Sequence, residues 1–333
     1  MYNQSFVAAP PAHALLATQT RGELVENIHH GSVVATGAEG EVLFAVGEPT
    51  ALFYARSALK PLQTLAMLRN GLALDGELLA LATASHSGSR AHVEAALAIL
   101  RTHGLEPKQL RNFPSMPYGE QERDEWVRSG GSSDQLTQNC SGKHAAMLVT
   151  CRINDWPLDD YLHIEHPLQQ AVQTTVEEFT GEIATTWSVD GCGTPVFATS
   201  LNAIACVYGH FASAPLDTPE GRIADAMRTN PAMVAGEARD TTAIMRAQPG
   251  LLAKDGADGI QLIGLPDGRA VAVKIADGGE HVRMRVAARA LQYLDAAESD
   301  LTGLAATPAL GGGKVVGELR AVDFLDYTSG VRQ

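Results

Sequence analysis

The sequence lacks the features that mark secreted and membrane-spanning proteins. Its first twenty residues contain no lysine or arginine, and Pro10-Pro11 interrupts their only apolar stretch, so neither a signal peptide nor a spanning helix is expected. Four cysteines in 333 residues, without a secretion signal, favour free thiols or metal ligands over a disulfide framework. We therefore expect a cytoplasmic protein that does not bind membranes.

Positive charge is also scarce. The chain has 25 lysines and arginines against 38 aspartates and glutamates, and its formal net charge is −13, which argues against nucleic acid or an anionic membrane as a partner. Hydrophobic residues make up 45% of the chain, and neither repeats nor long biased tracts interrupt it. The composition predicts one compact domain over 1–333, with poorly ordered ends at 1–20 and 310–333.

Strand patterns and helix patterns are segregated along the chain. Alternating residues predict strands near the amino terminus, with a turn at Gly31, and a hairpin near the carboxyl terminus. The region from about 60 to 250 is mostly helical, with loop residues dominating 106–138. This order predicts an α+β fold in which an antiparallel sheet from the two terminal regions packs against helices. The predicted strands are 24–29, 32–36, 42–46, 260–265 and 269–275.

Arg56-Ser57-Ala58-Leu59-Lys60-Pro61 is the clearest pointer to chemistry. Ser57 and Lys60 are three residues apart, so on a helix they share a face, as a nucleophile and its base would. Pro61 cannot donate to the carbonyl of Ser57, so the helix is expected to begin near the serine. Unpaired N–H groups at that helix start could stabilise an oxyanion. A coincidental serine and lysine on a surface turn is the alternative.

A second unusual segment is Asn139-Cys140-Ser141-Gly142-Lys143-His144. Cys140 and Lys143 are also three residues apart on a predicted helix, and Cys192 lies beside a glycine-rich turn. Two thiolates and a neutral amine could bind a borderline-soft cation and leave one position open. The alternative is that both cysteines are small buried residues beside tight turns.

Two further positions are less specific. Ser85 lies in a glycine-containing break between predicted helices, where its hydroxyl could face a cleft or merely cap a helix. Lys274 interrupts an apolar strand, on the same face as two alanines that would leave room for a ligand. An edge-strand lysine that discourages aggregation is the other interpretation of Lys274.

Six segments together resemble the rhizobial-type, or class 3, L-asparaginases, also called the asparaginase II family. The resemblance implies hydrolysis of L-asparagine to L-aspartate and ammonia. It also implies a fold similar to serine β-lactamases and penicillin-binding proteins, which share a Ser-x-x-Lys helix start. The segments are Ala55 to Pro61, Ala84 to Ser87, Asn139 to His144, Val189 to Cys192, Met233 to Glu237 and Val273 to Gly278.

Carried over by position, the resemblance implies two serine–lysine pairs, Ser57 with Lys60 and Ser85 with Lys274. It implies one zinc ion per chain, held near the nucleophile, and a homodimer. Arg56, the metal, Asp190 or Glu237 are candidates for binding the charged groups of the substrate. The implied zinc ligands are Cys140, Lys143 and Cys192, and the polar residues lining the site are Arg56, His144 and Asp190.

A lysine with an ordinary pKa of about 10.4 would be protonated at neutral pH and could not act as a base. Crowding of positive charge lowers that pKa, and Lys274, Arg56 and a bound cation could act on Lys60 in this way. Two other functions remain open from the sequence. One is a serine acyl hydrolase of the β-lactamase or esterase type, and the other is a non-catalytic amino-acid-binding protein.

Overall fold

The structure, a computed structural model, describes residues 9–296 and 301–329. The strands in this part of the chain are β1 (Ala14–Arg21), β2 (Leu24–Thr36), β3 (Val42–Val46), β4 (Leu52–Tyr54), β5 (Trp187–Val189), β6 (Pro195–Ser200), β7 (Leu252–Gly256), β8 (Ile260–Gly264), β9 (Ala270–Ile275), β10 (Ala306–Gly311) and β11 (Lys314–Ala321).

Eight of these described strands form one antiparallel sheet in the order β10-β11-β1-β2-β9-β8-β7, with β3 also paired to β2. Strands β1 and β11, the first and last in the described ranges, are therefore neighbours, and Ala17 pairs with Ala321. A second, three-stranded sheet has the order β4-β6-β5. Strand β7 lies at an edge of the large sheet.

The helices are α1 (Lys60–Arg69), α2 (Gly76–Ala82), α3 (Arg90–Arg101), α4 (Glu120–Arg128), α5 (Ser141–Ile153), α6 (Pro167–Thr180), α7 (Leu201–Ser213), α8 (Pro219–Thr229), α9 (Pro231–Val234), α10 (Asp240–Ala247), α11 (Glu280–Tyr293), α12 (Thr302–Ala305) and α13 (Phe324–Ser329). Helices α1 and α5 are buried on all sides over most of their length, as expected of helices inside a helical layer. Helix α7 packs between this layer and the large sheet.

The predicted α+β class is confirmed, since strands from both terminal regions form the sheet and helices fill the middle of the chain. Within the ends predicted to be poorly ordered, residues 14–20 lie in β1, residues 310–311 in β10 and residues 314–321 in β11. Residues 1–8 and 330–333 of those predicted ends lie outside the described residues. The single-domain organisation stays a prediction.

Two local predictions were wrong. The chain does not turn at Gly31, because β2 runs through it, and a Cβ there would lie 2.2 Å from the Lys274 carbonyl oxygen. Glycine is needed at this position for the close approach of β9 rather than for a turn. The predicted loop at 106–138 contains helix α4. None of the helices in the described ranges is long and apolar enough to cross a membrane.

Candidate active site

Ser57 lies in a short 3₁₀ turn, Arg56–Leu59, that leads directly into α1. Pro61 stands in the first turn of α1, and the Lys60 N–H donates to the Ser57 carbonyl. The predicted helix start is therefore confirmed. Ser57 is 9% exposed, and within the described part of the chain its hydroxyl has no hydrogen-bond partner. This hydroxyl is free to meet a substrate.

Lys60 is buried at the same helix start, and its hydrogen bonds are made to residues other than Ser57. Its Nζ donates to the Ala84 carbonyl oxygen, lies 3.0 Å from Ser85 Oγ and lies 3.1 Å from Cys140 Sγ. An ammonium group has three protons, and these three contacts account for all of them. Ser57 and Lys60, the expected pair, are thus three residues apart in the chain but are not hydrogen-bonded to each other.

Ser85 is fixed by its backbone between two segments. Its N–H donates to Val234, and the next N–H, of His86, donates to Asn139. The hydroxyl lies between two buried lysines, because Lys254 Nζ on β7 is 2.9 Å from Ser85 Oγ. Lys60, Ser85 and Lys254 therefore form one continuous chain of polar groups.

Lys254 is the partner that sequence reasoning missed. The predicted pair Ser85–Lys274 is not hydrogen-bonded in this structure, where Lys274 Nζ donates to the carbonyl oxygens of Asp258 and Ile275, at 2.6 and 2.7 Å. Both lysines follow apolar strand residues, so the signal used for Lys274 was also present at Lys254. The edge strand β7, rather than β9, brings a lysine to Ser85.

Burial changes the acid–base chemistry of Lys254, which is 0% exposed. Loss of solvation lowers its pKa to about 8, with a smaller contribution from the charge of Lys60, while the carboxylate of Asp255 opposes the shift. A lysine with this pKa is partly neutral near pH 8 and can accept a proton.

The predicted metal ligands converge. Lys143 Nζ lies 3.3 Å from Cys192 Sγ and 2.8 Å from Thr194 Oγ1. The hydrogen bond from Cys140 lowers the pKa of Cys192 well below its ordinary value, and the charge of Lys143 acts in the same direction. The same hydrogen bond raises the pKa of Cys140, since its proton is held between the two sulfurs.

This donor set fits the zinc ion that the resemblance implies. Two sulfurs and an amine meet in a buried pocket, one sulfur is already favoured as a thiolate, and soft thiolate ligands suit zinc. No group of three or more histidine, cysteine, aspartate or glutamate side chains within the described ranges could hold a metal ion. The predicted set is of a different kind, because its third ligand is a lysine.

His144 supports this pocket from behind. It is fully buried, with Nδ1 2.8 Å from the Tyr161 hydroxyl and Nε2 3.4 Å from Thr194 Oγ1. Burial, followed by the charge of Lys143, lowers the pKa of His144 to about 4. A neutral imidazole therefore orients Thr194 and, through it, Lys143.

Arg56 joins two carboxylates next to the reactive turn. Its Nε lies 2.6 Å from Asp190 Oδ1, and its Nη1 donates to Asp258. Arg56 has a φ of 53°, a backbone conformation that a non-glycine residue adopts only at a cost and often at functional sites. Arg56, the residue before Ser57, thus holds Asp190 next to this turn.

Glu237 does not join this group. Both of its carboxylate oxygens bind Arg246, at 2.7 and 3.0 Å, and its side chain is 72% exposed. The expectation that Glu237 binds the substrate is not supported by these contacts, because its charge is already paired on the surface.

The sequence matches the family model described as L-asparaginase II over residues 17–321. No curated protein matches the chain.

Three solved structures align with this chain at low identity. A beta-lactamase from Mycobacterium bovis is 13% identical, with a TM-score of 0.44 over 79% of this chain and 94% of that one. EstCE1, a hydrolase with promiscuous acyltransferase activity, is 14% identical, with a TM-score of 0.43 over 80% of this chain and 93% of that one. Mglu in its native form is 14% identical, with a TM-score of 0.43 over 79% of this chain, and the chain spans 63% of its length.

Proposed function

The chain belongs to the L-asparaginase II family, which makes it an L-asparaginase, and we propose that it hydrolyses the side-chain amide through an acyl-enzyme on Ser57. The observation that carries the proposal is the buried chain of Lys60, Ser85 and Lys254, with distances of 3.0 and 2.9 Å to the central hydroxyl. Its first member, Lys60, lies one helical turn from Ser57, whose hydroxyl is free.

In this mechanism Ser57 Oγ attacks the amide carbon of asparagine and loses its proton to the lysine chain. The same proton is passed to the leaving nitrogen, so ammonia departs and a serine ester of aspartate remains. Water then cleaves the ester with the lysines again acting as base and acid. The Ser57 hydroxyl and Lys60 must approach each other when substrate binds, as catalytic hydrogen bonds often do.

Ser85 transmits protons between the two lysines. A hydroxyl has one proton and two lone pairs, so it can accept from a protonated lysine while donating to a neutral one. The two lysines can therefore exchange a proton through Ser85 without direct contact.

Cys140, Lys143 and Cys192 hold the zinc ion in this proposal, and its positive charge would favour binding of a substrate carboxylate. Arg56 would bind the same carboxylate, and Asp190 the substrate ammonium group. The zinc is assigned to substrate binding because a serine and its lysines are already present as nucleophile and base.

The decisive experiment measures ammonia release from L-asparagine and maps the acyl group by mass spectrometry after acid quenching. We expect the label on Ser57, and Ser57→Ala should lower turnover roughly 10³-fold or more. Ser188→Ala, an exposed serine on β5, is the matched control and should retain activity.

Each other outcome has a defined meaning. Label on Ser85 alone would assign the nucleophile to Ser85 and contradict the assignment to Ser57. Cleavage of a chromogenic β-lactam without ammonia release would favour the acyl-hydrolase alternative. Asparagine binding by calorimetry without turnover would favour the non-catalytic one.

The proposal includes a homodimer, which the resemblance to the asparaginase II family implies. Large apolar side chains on the large sheet are exposed, among them Leu24, Ile28 and Val315, and a subunit contact would cover some of them. Sedimentation velocity should give twice the chain mass. A monomer at all concentrations would contradict this expectation. The cytoplasmic location stays a prediction.

A further inference from the structure

Asp255 is the residue that fixes Lys254 in place. Lys254 Nζ donates to Asp255 Oδ1 at 3.0 Å and to the Asp255 carbonyl oxygen at 2.8 Å, in addition to its contact with Ser85. The Asp255 side chain is only 9% exposed. The lysine therefore has a second set of partners on the side away from the serine.

Arg239 binds the other oxygen of the same carboxylate. Its Nη2 lies 2.7 Å from Asp255 Oδ2, and its guanidinium stacks on the Tyr118 ring at 4.5 Å. Its Nη1 is buried and has no hydrogen-bond partner among the described residues. Asp255 thus lies between two cations, one of which touches Ser85.

The charges around Lys254 act in opposite directions. Asp255, from its own strand, favours the charged amine, whereas Lys60 from the start of α1 and Arg239 from the segment before α10 disfavour it. Arg283 of α11 acts on Asp255, and burial keeps the Tyr208 phenol of α7 uncharged by raising its pKa. The charge state of Lys254 is therefore set by a balance of identifiable residues.

We propose that Asp255 and Arg239 are positioning residues that hold Lys254 against Ser85 and set the pH above which this lysine accepts a proton. Asp255 fixes the direction of the amine and favours its charged form. The positive charge of Arg239 offsets part of the negative charge of this carboxylate, so Asp255 favours the charged form of Lys254 less strongly. This role rests on the proposed serine–lysine hydrolysis.

The test compares two variants that should shift the same property in opposite directions. In Asp255→Asn the carboxylate is lost, so the acid limb of the kcat/KM profile should move to lower pH by about one to two units. Its maximum should fall roughly 10- to 100-fold, because the amine is less well oriented. In Arg239→Gln the carboxylate acts on Lys254 unopposed, so the limb should move to higher pH.

Opposite shifts of the pH profile distinguish this role from a purely structural one. Loss of folded protein would lower the amplitude of the profile without moving its midpoint. Asp267→Asn is the matched control: Asp267 also binds an arginine, Arg269 at 2.7 Å, but in the turn between β8 and β9, and the midpoint should not change. Where activity is too low to measure, the Lys254 titration can be followed by NMR with labelled lysine, because the chain has only six lysines.

Two failures are distinguishable. If Lys254→Arg releases ammonia at the parent rate, Lys254 takes no part in the reaction and the proposed relay is wrong. If Lys254→Arg is inactive but both other variants keep the parent midpoint, by kinetics and by NMR, the inference about Asp255 and Arg239 is overturned and the proposed function stands.

Discussion

Ser85 lies between two lysines of different environments. Lys60 is bound to a carbonyl, a hydroxyl and a sulfur, whereas Lys254 is bound to the hydroxyl and to Asp255. Two ammonium groups that contact the same hydroxyl repel each other when both are charged. This repulsion favours the loss of a proton from one of them, which can then act as the proton acceptor. The lowered pKa of Lys254 identifies it as that group.

The first prediction concerns pH. Because Lys254 must be neutral to accept a proton and burial lowers its pKa to about 8, kcat/KM should rise with pH and reach half its maximum near pH 8. Steady-state ammonia release between pH 6 and 9.5 measures this. A flat profile across that range would show that Lys254 does not limit the reaction.

The second prediction concerns Asp190 and Glu237, which were both candidates for binding the substrate on sequence grounds. Asp190 binds Arg56 next to Ser57, whereas Glu237 is paired on the surface with Arg246. Asp190→Asn should therefore lower kcat/KM roughly 100-fold, an amount typical of a lost charged contact. Glu237→Gln is its matched control and should retain the parent value. Equal losses in both variants would contradict the site described for Arg56.

Residue spacing predicted the helix start at Ser57 and the convergence of Cys140 with Lys143, because local sequence determines both. The lysine that faces Ser85 could not be chosen by the same means. Lys254 and Lys274 both follow apolar strand residues, and only the order β9-β8-β7 and the contact of β7 with the turn before α1 decide between them. That choice depends on contacts between distant segments.

At the scale of elements, helices α1 and α5 are both buried over most of their length, and both begin at the site. Helix α1 begins at Lys60, and the residue before α5 is Cys140. Because the amino-terminal turns of both helices are buried, they are well-packed supports for reacting groups.

The third prediction tests how tightly α7 packs on the sheet. A Cβ at Gly209 would lie 2.2 Å from the Gly268 carbonyl oxygen, and backbone cannot yield as a side chain can. Gly209→Ala should therefore lower the free energy of unfolding by about 1–3 kcal/mol. Urea unfolding measures this.

Gly303 in α12 provides the control, since nothing lies within 4 Å of a Cβ there. Gly303→Ala should leave the free energy of unfolding unchanged or raise it slightly. An unchanged midpoint in Gly209→Ala would mean that α7 and the turn at Gly268 can separate without cost.

Strands and helices with a strong apolar pattern were predictable from the sequence. The role of Gly31 in the close approach of β9 was not. The sequence shows only a glycine between two apolar segments, which is typical of a turn. The close approach of the Lys274 carbonyl exists only after β9 has paired with β2. Helix α4 was missed because it has no buried residue and so no apolar periodicity to detect.

At the scale of the whole molecule, zinc would join α5 to the turn that carries Cys192. The fourth prediction is that zinc raises the melting temperature, because binding at 100 times Kd stabilises the folded state by about 2.7 kcal/mol. Its removal should raise KM more than it lowers kcat. Differential scanning calorimetry and metal analysis measure the binding.

Cys192→Ser should abolish both the thermal shift and the bound zinc. Cys206→Ser, at a partly exposed cysteine of α7, is the control and should preserve them. Metal-free protein that is inactive even at saturating asparagine would contradict the assignment of zinc to substrate binding.

The pairing of β1 with β11 bears on how this chain is made. Ala17 and Ala321 are partners, so the sheet remains open on that side until β11 has been synthesised. By then every residue from Ser57 to Lys274 has already emerged, and the nascent chain can gather its helices first. Contacts of such long sequence separation form slowly, so closure of the sheet should be a late step of folding.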